Sequence, residues 1–235
     1  MLSPRKNLKW LFLIWGIFLL PDSSVYTQHP SHDITLAGNL LSNSRIYVSP
    51  QSSDPVLRQA SVTMDPAWSA ALMYRLELVP SVLLRFRGEY LSASRELHDR
   101  HGTRSIDGYD AAAFESSAMF ALPIASKRVR VCVGGGIGLY VAQRRLSIAG
   151  VVASSSASTA AVDIHVLLSG ECFLLRTFSL RAEVLFRDPH ISVQNAFPIP
   201  EVVSNGIPYH LNTEAFRSTI NLNGNVYSVG LSWYF

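Results

Sequence analysis

From Asn225 to Phe235 the chain alternates with a period of two: Tyr227, Val229, Leu231, Trp233 and Phe235 share one face, and Val226, Ser228, Gly230, Ser232 and Tyr234 the other. That period belongs to a β-strand, and about 9 to 11 residues is what a tilted strand needs to cross hydrocarbon. The last strand of a soluble sandwich would carry charges on its outward face. Here neither face carries one, which predicts that lipid bathes the larger side chains. A lone strand in lipid would leave its backbone N–H and C=O groups without partners, so this one must be a stave of a closed barrel.

Seven more segments repeat the pattern. The first, Asp33 to Ser42, has Ile34, Leu36 and Leu40 on one face. The second, Ala67 to Leu78, turns Trp68, Leu72, Tyr74 and Leu76 outward, and the third, Val82 to Ala93, does the same with Leu84, Phe86 and Tyr90. Ala112 to Leu122 follows, then a strand from near Arg128 that carries Val129, Val131, Val133, Ile137, Leu139 and Val141. Val162 to Leu174 and Phe178 to Asp188 complete the set. Tight connections are expected at Val79 to Ser81, Pro123 to Lys127 and Leu175 to Thr177, and long ones at Asn43 to Pro66, Ser94 to Ala111, Gln143 to Ala161 and Pro189 to about Phe216. Short turns on one rim and long loops on the other predict an all-β, membrane-spanning, antiparallel up-and-down barrel of eight strands, with short periplasmic turns and long extracellular loops. The stretch Ile46 to Ser49 and the segment from Phe216 would extend hairpins beyond the membrane or add a further pair, giving eight strands or ten. Outward aromatics are expected to collect at both interfaces, Trp68, Tyr90, Phe114 and Phe186 on the loop side and Phe120, Phe178, Trp233 and Phe235 on the turn side.

The amino-terminal segment reads differently. Arg5, Lys6 and Lys9 precede an apolar run from Trp10 to Leu20 and then Pro21, Asp22, Ser23 and Ser24, the three-part form of a secretory signal peptide. The run is too short for a spanning helix. Residues 1–27 are therefore expected to be a leader cleaved near 24 to 27, ahead of a barrel domain over 28–235; an uncleaved anchor is the competing reading. Removing the leader changes the charge. The chain has 20 Lys and Arg against 17 Asp and Glu, and three of those bases and one of those acids precede Val25, which leaves 17 against 16. A near-neutral mature chain gives no reason to expect nucleic acid as a partner. Hydrophobic residues at 48% and charged ones at 16% fit a chain with a greasy exterior.

The inward phase of the strands carries the charges that remain: Arg75, Arg85, Arg87, Arg130, Arg181 and Arg187 against Glu77, Glu89, Glu115, Asp163, Glu171 and Glu183. An eight-stranded barrel is just wide enough for side chains to fill, and buried charges persist only when paired. A plugged lumen held by an ion-pair network follows as the expectation. With the turn at Leu175 to Thr177, Glu171 should lie opposite Arg181. Gly134, Gly136 and Gly138 should leave room for long side chains from neighbouring strands. They also suggest a dinucleotide loop, but neither Leu139 nor Val141 supplies the third glycine of that fingerprint.

Candidate chemistry is thin. His165 has inward phase and reads as a hydrogen-bonded core residue rather than a general base. His98 and His101, with Asp99 between them, lack a full metal-ligand set. Cys132 and Cys172 have opposite phase, which disfavours a disulfide. No catalytic, cofactor-binding or metal site is expected, and no cofactor.

The closing strand, Tyr227 to Phe235, resembles the carboxy-terminal assembly signal of Gram-negative outer-membrane proteins, which ends in Phe. The stretch Glu171 to Arg187 and the strand Gly134 to Val141 are similar to those of the eight-stranded barrel family that includes the OmpA membrane domain and OmpX-type proteins. The resemblance covers about residues 30–235 as a pattern rather than as fixed identities. It implies residence in a Gram-negative-type outer membrane, lipid and lipopolysaccharide as surroundings, and the barrel-assembly machinery as a partner in biogenesis, with Tyr227, Val229, Leu231, Trp233 and Phe235 as the signal. A non-enzymatic surface scaffold for envelope integrity, adhesion or surface protection is the expected role. A narrow small-solute pore and a lipid-modifying enzyme are the alternatives.

Overall fold

A computed structural model describes residues 31–79, 81–123, 128–157 and 160–235. The expected leader and most of the expected turn at 123–127 lie outside them. In chain order the described elements are β1 His32–Leu41, β2 Arg45–Tyr47, α1 Pro55–Gln59, β3 Ser61–Thr63, β4 Ala67–Val79, β5 Val82–His98, β6 Arg104–Ala121 and β7 Val129–Ile148. There follow β8 Val151–Val152, β9 Ser154–Ala157, β10 Ala161–Phe173, β11 Phe178–Arg187, β12 His190–Ala196, β13 Glu201–Ser204, β14 Ile207–His210, β15 Phe216–Asn221 and β16 Gly224–Tyr234.

Eight of these strands close on themselves. Antiparallel pairing runs β1–β4–β5–β6–β7–β10–β11–β16, and β16 returns to β1 with Asp33 opposite Tyr234 and Leu41 opposite Val226. Closure satisfies the backbone groups that lipid cannot. The register places Glu171 opposite Arg181, as the tight turn before Phe178 requires. The period-two faces then sort as their chemistry demands. Ile164 and Trp68 are 76% and 75% exposed, and Leu36, Phe114, Ile137, Val162 and Val229 also face outward, whereas Arg75, Arg85 and Arg181 are fully buried. An exterior this apolar is stable only in hydrocarbon, and the chain is a membrane-spanning barrel. Phe178 and Trp233 pair across β11 and β16 at the turn end of the wall. Phe235 stacks on His32 and tilts against Trp233 at the same end, while Tyr90, Trp68 and Phe186 stand toward the other.

The loop side is more ordered than a set of loops. β5, β6 and β7 run 17, 18 and 20 residues, well past the length that spans hydrocarbon, and β5 stays paired with β6 to His98 opposite Arg104. On the other side of the mouth, segments that follow Leu41, Ile148 and Arg187 and one that leads into Gly224 build a second sheet in the order β3–β2–β15–β12–β9. Ile46 therefore belongs to a rim strand rather than to a further stave, and the barrel has eight strands, not ten. Much of the expected loops Ser94 to Ala111 and Gln143 to Ala161 is strand. Beyond the membrane the outward face meets water, so greasy alternation gives way to pairs such as Arg104 with Glu96 at 2.7 Å and Arg145 with Asp110 at 3.0 Å, while the backbone ladder continues. Beneath the rim, Leu41, Ile46, Leu91, Tyr109, Ile191, Val193, Ile220 and Leu222 pack into a buried apolar core. A last hairpin, β13–β14, turns at Asn205 and Gly206 with φ of 52° and 78°, the two-residue turn whose twist matches paired strands.

Candidate functional site

Three levels of paired charge fill the bore. Nearest the tight turns, Arg75 bridges Asp33 at 2.6 Å and Glu171 at 2.8 Å, and Arg181 reaches the same two carboxylates at 2.8 and 3.1 Å. Tyr234 accepts a hydrogen bond from Arg75 and donates one to Glu171, Ser179 donates to Glu171, and Thr35 accepts from Arg181 at 2.7 Å. At mid-depth Arg85 meets Glu183 at 2.6 Å and donates to Ser117, which is 2.7 Å from the ring of His165. Toward the mouth, Arg187 joins Glu89 at 2.8 Å to Glu115 at 2.7 Å, and Arg87 contacts the same two carboxylates at 3.2 Å. Tyr140 donates to Glu115, and Asn39 and Ser69 donate to Glu89. These ten ionised side chains, five of each sign, are all buried.

The strands explain why they meet. Arg85, Arg87 and Glu89 fall at alternate positions of β5, as do Ser179, Arg181, Glu183 and Arg187 on the inward phase of β11. β4 contributes Arg75, β6 Glu115 and β10 Glu171. Charges so deeply buried are tolerable because each has an opposite partner, and several, Asp33, Glu89, Glu115 and Glu171 among them, accept further hydrogen bonds.

Three of the expected network residues stand apart. Glu77 and Arg130 pair with each other at 3.5 Å at the turn end, where both side chains are partly exposed. Asp163 is also only partly buried, and its carboxylate accepts the backbone N–H of Asp188 at 2.8 Å. It lies beside the end of β11 and forms no ion pair with a lumen arginine among the described residues. Conversely, Asp33 is a full member of the innermost level. Its signal was present in the first strand, where Asp33, Thr35 and Asn39 alternate with Ile34, Leu36 and Leu40. A further buried pair, Arg144 with Asp107 at 2.6 Å, braces β6 and β7 above the membrane. Gly136 corrects the expectation of empty space: a Cβ there would collide with the Ser116 carbonyl of β6, so the neighbouring backbone takes the room. At Gly138 the room goes to the Tyr140 hydroxyl, which is how Tyr140 reaches Glu115.

Polar chemistry at the rim is local. Asp99, at the tip of the β5–β6 hairpin, accepts from the backbone N–H groups of His101 and Thr103 at 2.8 Å and from the Tyr209 hydroxyl. The Tyr209 hydrogen bond leads in holding the Asp99 carboxyl below its ordinary range. Asn205 donates to the His101 carbonyl at 3.0 Å, so β13–β14 is docked on that tip. His98 lies 3.4 Å from Glu96 rather than facing His101 in a ligand set. Among the described residues no group of three or more His, Cys, Asp or Glu side chains converges. Cys132 is buried and Cys172 partly exposed, and both are free.

The closing strand turns Tyr227, Val229, Leu231, Trp233 and Phe235 to the outside. Its end is pinned by hydrogen bonds from Tyr234 N–H to the Thr177 carbonyl and from Phe235 N–H to the His32 carbonyl.

No protein-family model and no curated protein matches the sequence. Solved structures do. The outer-membrane protein OprG from Pseudomonas aeruginosa aligns with a TM-score of 0.60 at 8% identity, over 88% of this chain and 98% of that one. Neisserial surface protein A aligns at 0.47 and 12% identity, over 88% and 99%. Ail of Yersinia pestis aligns at 0.42 and 10%, over 88% and 99%. At such identities the likeness is one of fold, and the fold is that of an outer-membrane β-barrel such as OprG.

Proposed function

We propose, from an outer-membrane barrel whose bore is filled by its own side chains, that the protein is a surface scaffold: the barrel anchors it and the ordered rim makes contact with the exterior, in envelope integrity, adhesion or surface protection. The observation that carries this reading is the lumen. Five arginines and five carboxylates interlock there, and the buried apolar core above them blocks the path a solute would take. A pore needs a continuous wet route, which a bore this full does not offer. The reading assigns no catalytic residues.

The partners follow from the two surfaces. Outer-membrane lipid and lipopolysaccharide surround the apolar wall, and the barrel-assembly machinery engages the strand ending at Trp233 and Phe235 during biogenesis, after a leader at 1–27 has directed export. Planar-bilayer recording tests the sealed bore. The purified protein should give no steady openings, and Glu183→Ala, which removes the nearer carboxylate partner of Arg85, should admit small, flickering ones. Large stable openings in the unaltered protein would instead make it a pore.

A further inference from the structure

A cavity of about 540 Å³ opens at the extracellular mouth, outside the charged bore, within the roughly 300–1,000 Å³ typical of small-molecule sites. Its apolar lining comes from separate segments: Leu146 and Ile148 at the end of β7, Phe197 and Leu211 on either side of β13–β14, and Phe216 on β15. The rings of Phe197 and Phe216 stack with centroids 6.2 Å apart. Backbone hydrogen bonds from Phe197 to Asn212 at 3.0 Å and from Leu211 to Pro200 at 2.8 Å fix the two walls, so the pocket exists before any ligand arrives.

Its charge is one-sided. Arg217 is among the lining residues and no Asp or Glu is. Arg217 is exposed and its side chain makes no hydrogen bond or ion pair among the described residues, unlike those of the bore arginines. No residue of the charged bore lines the cavity, and Ile191, Val193, Ile220 and Leu222 of the rim are wholly buried. We infer that this mouth cavity binds a small anionic amphiphile from the exterior, an apolar body of about eight carbons with one carboxylate, sulfate or sulfonate set against Arg217. A ligand would leave by the opening it entered, so the site senses or captures rather than conducts. The inference rests on the reading that the rim faces outward and the bore is sealed.

Octanoate titrated calorimetrically into the full mature chain in lipid nanodiscs, with empty nanodiscs subtracted, tests it. Saturable binding is expected, weakened about tenfold or more by Arg217→Glu, with octan-1-ol and octylammonium binding less well by a similar factor. Leu146→Trp should fill the floor and abolish binding while heat-modifiable gel migration stays unchanged. No saturable heat, equal binding of octan-1-ol, or indifference to either substitution would overturn the proposal. Bilayer conductance, read separately, reports whether the sealed-bore reading has failed instead.

Discussion

Removing the Glu183 carboxylate leaves the Arg85 guanidinium buried without the partner now 2.6 Å away. Breaking a buried pair on one side costs about 3–5 kcal/mol, whereas replacing both members with apolar groups is often neutral. Glu183→Gln should therefore lower the urea midpoint of the folded barrel in lipid vesicles substantially, and Arg85→Met combined with Glu183→Leu should recover most of it. Gly136→Ala should impair folding by a different route, through the approach of the Ser116 carbonyl, with a reduced folded fraction on gels as the readout. The inward phase made most of the network legible, because charge on alternate residues of a greasy strand has nowhere to go but inside. Asp33 escaped for lack of neighbours: one acid beside Thr35 and Asn39 makes a fainter stripe than Arg85, Arg87 and Glu89. The role of Gly136 was hidden altogether, since how closely two backbones approach is a property of the coiled sheet and not of one strand.

Strands that touch lipid were readable from end to end, and strands that touch water were not. β5 continues to His98 and β7 to Ile148, but past Tyr90 and Val141 the outward residues are Ser, Arg, Glu and Gln, so the sequence looks like loop where the ladder persists. The hairpin β13–β14 did carry a local mark, Asn205-Gly206, one of the stronger short-range turn signals. Depth along a strand sets what a charge costs on the lipid face. Ile137→Arg, level with Ile164 and Ser116 in the middle of the wall, should destabilise by about 2–4 kcal/mol, and Trp233→Arg, near the interface, by about 0–1 kcal/mol; folding titrations in vesicles compare them. At the hairpin tips, the lowered carboxyl of Asp99 means that its docking contribution is complete above the usual carboxylate range and is lost as pH falls through the lowered value. Amide protection over 99–104, corrected for the intrinsic pH dependence of exchange, should fall in acid, and Asp99→Asn should remove that acid step.

At the scale of the whole molecule, a closed wall with a bore filled by ion pairs is a single cooperative object. It should stay folded in dodecyl sulfate until heated and then migrate differently, and it should fractionate with the outer membrane; failure of both would contradict the barrel. Length, period and turn spacing revealed the cylinder because each stave must satisfy the same lipid. The rim sheet was out of reach, since β2, β3, β9, β12 and β15 are short and defined by partners distant in the chain. The seam has one more consequence. Asp33 pairs with Tyr234, so the first and last staves lie side by side with their outer ends adjacent. A short linker could splice those ends together and the ring could be cut anew between β10 and β11, giving a circularly permuted cylinder with the same neighbours throughout. In that rearranged chain the aromatic hem of Trp233 and Phe235 would be internal, so its insertion efficiency would tell whether export factors read the motif itself or its place at the tail.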